Sequence, residues 1–263
     1  MIRVGIGGWT FAPWRGTFYP PGLRQADELA FASSKLTSIE INGTFYRTQS
    51  AASFRKWRDQ TPDDFVFSVK GHRSVVNKSK LAEAKESVEW FIGSGLMELG
   101  EKLGPILWQL APFKRFDRED IAAFFSLLPR RSGERALQHV IEPRHKSFQT
   151  GEFVQLARDE GISIAKADST KYPSIDDLTG ALVYVRLQSA VEDQPTGYSE
   201  TELDQWAVRA RDWEAGKAAS GASLLTSEGP RQNQPVFVYM INGAKERAPA
   251  AAQAMIERLT RPD

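Results

Sequence analysis

Cysteine is absent from the 263 residues, which excludes disulfides, thiolate nucleophiles and cysteine-ligated zinc or iron–sulfur centres, and suits a reducing compartment. Neither sign of charge is in excess: 34 Lys and Arg stand against 33 Asp and Glu, for a net charge of +1. No global field therefore recruits nucleic acid or an anionic membrane, and any contact with a polyanion has to be local. No segment approaches the roughly 20 consecutive apolar residues of a membrane span. The first residues, Met1 to Ile6, read directly as a strand without the basic and apolar regions of a secretory signal, so a cytoplasmic protein is expected. Histidine is scarce too, with only His72, His139 and His145.

Apolar material is plentiful, at 41% hydrophobic and 11% aromatic residues, enough for a large core. It falls into eight short runs of buried-strand length: 3–7, 38–41, 65–70, 104–110, 138–142, 162–165, 182–187 and 236–241. Segments of helical spacing lie between them, among them 51–60, 81–99, 118–128, 151–160, 200–214 and 248–259, several with Ser, Asp or Thr near their starts. Repeated strand–helix units imply parallel strands joined by crossovers. Eight of them predict an α/β fold of the (β/α)8 TIM-barrel type, a single domain over residues 1–263, with a doubly wound sheet as the alternative. A dinucleotide fingerprint is missing after the first strand, where Gly5-Ile6-Gly7-Gly8-Trp9 leads into Pro13 and Trp14 rather than a helix. The stretch 216–234, rich in Gly, Ala, Ser and Gln and containing Pro230 and Asn233, reads as a loose surface loop. Trp57, Trp90, Trp206 and Trp213 fall on predicted helices and are expected mostly against the barrel, with a monomer favoured.

Residues two apart on a strand share a face, so each run can be sorted into a helix-facing and an axis-facing set. The axis-facing sets are Ser38, Glu40 and Asn42; Ser68 and Lys70; Leu107 and Gln109; Val140 and Glu142; Tyr184 and Arg186; Met240 and Asn242. Six strands thus end in a polar residue opposite an apolar face. Burying such groups costs about 1–3 kcal/mol for each one left unsatisfied, so they must meet each other or a ligand. The carboxyl face of a barrel is where loops build sites. The alternative is a purely structural network, with Glu40 on Lys70 and Glu142 on Arg186.

In order along the chain stand Gly7-Gly8-Trp9, Phe18-Tyr19-Pro20, Glu40-Ile41-Asn42-Gly43-Thr44-Phe45-Tyr46, Ser68-Val69-Lys70, Leu103-Gly104-Pro105 through Gln109-Leu110, Glu142-Pro143-Arg144-His145-Lys146-Ser147-Phe148 and Tyr184-Val185-Arg186-Leu187. Together they resemble the YecE-like family of uncharacterised proteins, over nearly the whole chain. The resemblance implies a TIM-barrel-type fold and no settled activity. Two departures stand out. Arg186-Leu187-Gln188-Ser189 replaces the family's Arg-Leu-His-Gly, and Met240-Ile241-Asn242-Gly243 replaces an Asn-Asn ending. Any role attached to that family histidine does not carry over.

Several chemistries are open to these residues. Glu40 and Glu142, on different strands, fit an acid–base pair across the mouth, and a glycosidase would set them around a sugar. Lys70 near the axis suggests a Schiff-base lysine, but with Glu40 and Glu142 nearby a salt-bridging role is expected instead. A metal is not expected. His139 lies out of phase and should be a satisfied structural histidine, and Lys70, Arg144 and Arg186 repel a cation, although Mg²⁺ on Glu40, Glu142 and Asp168 remains an alternative. No cofactor is implied. The local balance favours a small anionic ligand held by Lys70, Arg144 and Arg186, with His72 and His145 as donors and Asn42, Gln109 and Asn242 orienting it. Trp9, Phe45, Tyr46 and Tyr198 would form its walls. His145 is the proton-transfer candidate, since imidazole serves that role at neutral pH. The leading reading is a metal-independent enzyme, hydrolytic or lyase-like, with Glu142, His145, Glu40 and Lys70 catalytic. A metabolite-binding protein without turnover comes second and a nucleic-acid-binding barrel third.

Overall fold

The structure, a computed structural model, describes residues 1–227 and 232–261. In chain order the elements are β1 (Ile2–Gly7), α1 (Glu28–Lys35), β2 (Ser38–Ile41), α2 (Ala51–Asp59), β3 (Val66–Lys70), α3 (Arg73–Val76), α4 (Lys85–Ile92), β4 (Leu103–Gln109) and α5 (Arg118–Leu127). A small hairpin of β5 (Arg131–Ser132) and β6 (Arg135–Ala136) precedes β7 (His139–Glu142) and α6 (Gly151–Asp159). Then come β8 (Ser163–Ile164), β9 (Lys166–Asp168), β10 (Val183–Leu187), α7 (Glu200–Glu214), β11 (Val236–Met240) and α8 (Ala248–Thr260).

Nine strands form one parallel sheet in the order β8-β7-β4-β3-β2-β1-β11-β10-β9. Its two end strands are consecutive pieces of one chain segment, parted at Ala165. β8 pairs with β7, Val140 opposite Ser163, and β9 pairs with β10, Val185 opposite Lys166. The sixth strand thus gives its first half to one neighbour and its second half to the other. That wraps the sheet into an α/β barrel of eight strand positions, as the sequence predicts.

The helix starts follow from local chemistry. Ser50, Asp117, Thr150 and Ser199 each accept, through a side-chain oxygen, a backbone N–H three residues on, which caps α2, α5, α6 and α7. At α7 the Glu202 side chain reaches back to the Ser199 N–H, completing a capping box. The single helix predicted over 81–99 is instead broken into a 3-10 turn at Leu81–Glu83, α4, and a further 3-10 stretch at Leu96–Lys102. Gly93 ends α4, and Gly95 sits at φ 98°, a left-handed conformation that a helix does not pass through.

Two other departures lie together. The sixth strand runs past the predicted 165 to Asp168, and no helix follows it: among the described residues 169–182 is irregular. Lys166 takes the place of packing there, donating to the carbonyls of Ile175, Asp176 and Asp177 at 3.2, 2.6 and 3.2 Å. The expected loose loop is not loose where it meets this crossover. The buried Asp177 carboxylate accepts from Leu225 N, Thr226 N and Thr226 Oγ1 at 2.9, 3.0 and 2.7 Å. Pro230 lies outside the described residues.

Apolar side chains form two shells. Between sheet and helices pack Ile39, Phe67, Ile106, Ile141, Val185, Val238 and Met240, all buried. Inside the barrel sit Leu107, Val140, Ala165, Leu182, Tyr184, Phe237, Tyr239 and Ile241. β11 therefore has the opposite phase to the one expected: Tyr239 points to the axis, its hydroxyl 2.7 Å from Ser38 Oγ, and Met240 packs outward. Every residue of β11 is buried and apolar, so alternation cannot tell its faces apart.

Candidate functional site

Above the inner plug, β2, β3, β4, β7 and β10 present Glu40, Lys70, Gln109, Glu142 and Arg186 at or next to their last positions. Arg186, 2% exposed, lies at the centre. Its Nε and Nη2 donate to Glu40 Oε2 and Oε1, both at 3.0 Å, a two-pronged grip, and its Nη1 donates to Glu142 Oε2 at 2.6 Å. Tyr184, two residues earlier on β10, donates to Glu40 Oε2 at 2.7 Å and touches Ser68 Oγ at 2.7 Å. Gln109 Nε2 donates to Glu142 Oε2 at 2.8 Å and Arg144 Nε to Glu142 Oε1 at 3.0 Å. All four carboxylate oxygens are thus engaged. Burial pushes the Glu142 carboxyl up, yet Arg186, Arg144 and Gln109 together outweigh it and hold Glu142 below the usual range. Burial disfavours a charged Arg186, and the two carboxylates more than restore it.

This arrangement corrects the expected role of Lys70. Glu40 is paired with Arg186, not with Lys70, and among the described residues the Lys70 ammonium has no hydrogen bond and no ion pair. The side chain is only 8% exposed, and Nζ lies 4.4 Å from the centre of the Phe45 ring. Burial, with Arg186 and Arg144 as neighbouring cations, outweighs Glu40 and Glu142 and lowers the Lys70 pKa to about 8. Three cations face two carboxylates in this centre, and Lys70 is the unmatched charge.

Of the other predicted residues, Arg144 alone among those described bonds to this centre, through Glu142. Arg144 stacks on Tyr172, 4.2 Å from the ring centre. His145 Nδ1 accepts from Ser147 N at 3.1 Å, so a neutral ring carries its proton on Nε2, which has no partner among the described residues. His72 repeats the device, Nδ1 accepting from Ser74 N at 3.1 Å, with Nε2 3.3 Å from the Tyr46 carbonyl. Tyr46 itself is 65% exposed. Among the described residues the Asn42 side chain has one hydrogen bond, from Nδ2 to the Glu40 carbonyl at 3.4 Å. Trp9 is not at this centre: it packs in the outer shell on Trp57 and Phe67, with ring centres 4.9 and 6.4 Å away. Asp168 and Tyr198 belong to a second polar group at the ends of β9 and β10. There Tyr198 donates to Asp168 Oδ2 at 3.3 Å and accepts from Ser189 N at 3.0 Å, and burial raises the Asp168 pKa. Asn242, out of phase with the axis because β11 is reversed, is exposed and lies 3.4 Å from the Gln188 side chain.

Tyr184, Ser68, Phe45 and Tyr172 complete the centre. The first two are legible from their two-residue spacing to Arg186 and Lys70; Tyr172 lies in the irregular crossover and carries no sequence signal. His139 is the structural histidine expected, accepting at Nδ1 from Trp108 Nε1 (3.1 Å) and donating from Nε2 to the Pro129 carbonyl (2.8 Å). Among the described residues no three His, Asp or Glu side chains converge as a metal-binding set, and no helix is long and apolar enough to cross a membrane.

Fold and centre together define an α/β barrel protein of the TIM type with a charged cluster at the strand ends. More specifically, the chain belongs to the family described as "Protein of unknown function DUF72", whose profile matches residues 3–263. Among similar proteins are YunF of Bacillus subtilis, 27% identical over 127 residues (46% of this chain and 44% of YunF), and YecE of Escherichia coli K12, 25% identical over 148 residues (56% of this chain and 50% of YecE). These alignments span about half of each relative's length. A crystal structure of a DUF72 family protein from Thermotoga maritima superposes with TM-score 0.77 at 22% identity, covering 99% of this chain and 100% of that one, and shares the fold.

Proposed function

We propose that the protein is an enzyme of hydrolase or lyase type that takes a small carboxylate- or phosphate-bearing substrate at the carboxyl ends of its strands. The supporting observation is the unmatched Lys70: an ammonium at the tip of a largely buried side chain, whose neighbouring carboxylates are engaged by Arg186, Arg144, Gln109 and Tyr184, lacks an anion of its own. A bound anion would supply one. In this reading Lys70 and Arg144 meet the anionic group, Gln109 orients it, Phe45 and Tyr172 flank it, and His145 moves a proton through Nε2. Glu40 and Glu142 hold Arg186 and set the local field rather than exchange protons, because each already accepts three hydrogen bonds.

Binding of an anion to the native state alone raises the melting temperature. The test is a thermal-shift series with phosphorylated sugars, nucleotides, short oligonucleotides and small carboxylic acids, with and without Mg²⁺ or Mn²⁺. A rise with small anions that disappears in Lys70→Met supports the proposal. No rise with any small anion, or one that Lys70→Met retains, overturns it. A rise confined to oligonucleotides and erased by salt also overturns it, in favour of nucleic-acid binding.

A further inference from the structure

We propose that Lys70 is a nucleophile, and that the substrate of the centre is a 2-oxo carboxylate whose carbonyl carbon forms an imine with Lys70 Nζ while its carboxylate lies against Arg144. This rests on the anion-binding reading above and names its substrate class.

The other largely buried lysines are held by backbone carbonyl oxygens, Lys102 by those of Arg58 and Thr61 and Lys166 by those of Ile175, Asp176 and Asp177, whereas Lys70 Nζ has no such acceptor among the described residues. Here both carboxylates within reach are withheld, since Glu40 Oε1 and Oε2 and Glu142 Oε1 and Oε2 are bonded to Arg186, Arg144, Gln109 and Tyr184. Glu40 comes from β2, Arg186 from β10, and Glu142 and Arg144 from the end of β7 and the turn after it; these are the charged groups acting on Lys70. The Phe45 ring, one turn beyond β2, covers Nζ at 4.4 Å and limits water. Its attraction for a cation opposes deprotonation, and burial and the two guanidinium groups prevail, giving a pKa of about 8. At pH ~7 such a lysine holds on the order of a hundredfold more neutral amine than an ordinary one. Desolvation beside other cations is the known means of activating an amine for imine formation. Nζ, without a hydrogen-bond partner among the described residues, is nevertheless not sealed from the surface, so a ligand can reach it.

In the reaction the Nζ lone pair forms a bond to the carbonyl carbon. The carbonyl oxygen takes up the two hydrogens of the neutral amine and leaves as water, and the imine nitrogen then accepts one proton from solvent. No oxidant or reductant is needed. The resulting iminium withdraws electrons from the adjacent carbon, which is the lyase half of the proposed function.

The test is reductive trapping on the full chain with pyruvate as probe. Protein, pyruvate and sodium cyanoborohydride are incubated over a range of pH, followed by intact mass and peptide mapping, with lactate as the matched acid that has no carbonyl. The expected result is one adduct on the peptide carrying Lys70. It should form at least about tenfold faster than on any other lysine at pH ~7 and gain rate as pH rises toward about 8. It should be absent from Lys70→Arg and Lys70→Met, both checked for native circular dichroism. Lactate should raise the melting temperature without leaving an adduct. If pyruvate and lactate both stabilise the protein and no Lys70 adduct is trapped, the imine is overturned and the anion site stands. If neither stabilises it and labelling is spread evenly over the lysines, both readings fall. An adduct that forms equally in Lys70→Met also overturns the imine.

Discussion

Arg186 and Lys70 are both buried cations in one centre, and they stand at opposite ends of an energetic scale. Arg186 is matched by two carboxylates and a guanidinium does not deprotonate, so it is fixed in its charge. Lys70 has no such match, and its pKa of about 8 lies below the unfolded value of about 10.4. The native state therefore binds fewer protons than the unfolded state between these limits, and the lysine's burden on stability is greatest below pH ~8 and vanishes above about 10.4. Lys70→Met, which keeps most of the volume and removes the charge, is expected to stabilise the protein by about 2–3 kcal/mol at pH ~7. The gain should shrink as pH rises through this window, measured by urea unfolding at several pH values. A substitution that stabilises the fold while abolishing ligand binding is the signature of a residue kept for function.

At the scale of elements, the sixth strand is where the barrel closes and where its regularity ends. β8 and β9 divide two short pairings between β7 and β10, and the crossover that follows has no helix to bury an apolar face. Lys166 provides the anchor by donating to three successive carbonyls, and Asp176 and Asp177 extend it to the loop, Asp176 accepting from Ser223 N and Asp177 from Leu225 N and Thr226 N. Lys166→Met should leave those carbonyls unsatisfied at about 1–3 kcal/mol each, unless water enters. Hydrogen exchange in 169–182 and 222–226 should accelerate by at least about tenfold while exchange in β1 to β4 stays unchanged. Equal acceleration throughout would mean that this crossover is not a separate unit. By contrast β1 and β2 are packed so closely that a Cβ on Gly5 would lie 1.9 Å from the Ser38 carbonyl oxygen, which is why glycine stands there.

For the molecule as a whole, acid stability should be governed in part by His139, the first residue of β7, whose buried ring lies against Trp108 and the Pro129 carbonyl rather than in the charged centre. Burial lowers its pKa to about 4 from the ordinary value near 6.5, and the neutral ring is held between Trp108 and Pro129. The unfolded chain binds the proton first as pH falls below about 6.5, so stability is lost progressively from there to about 4, by about 3 kcal/mol in all. His139→Gln, whose amide can accept from Trp108 and donate to Pro129, is expected to flatten the pH dependence of urea unfolding across that interval. An unchanged slope would assign the acid sensitivity to other groups.

The α/β barrel class, its eight strand positions and most helices were legible from the chain alone, whereas the division of the sixth strand and the β5–β6 hairpin were not. Buried parallel strands are short apolar runs, and their crossovers begin at Ser50, Asp117, Thr150 and Ser199, whose side chains cap helices by purely local contacts. The two-residue period likewise brought Glu40, Lys70, Gln109, Glu142 and Arg186 to one rim. What the period lacks is any record of distance between strands. It could not tell that Arg186 takes both carboxylates and leaves Lys70 without one, nor that β11, apolar on both faces, turns Tyr239 inward and Asn242 aside. Partnership among side chains from β2, β3, β7 and β10 is set by barrel closure, which juxtaposes residues more than a hundred positions apart, and only the tertiary structure decides it.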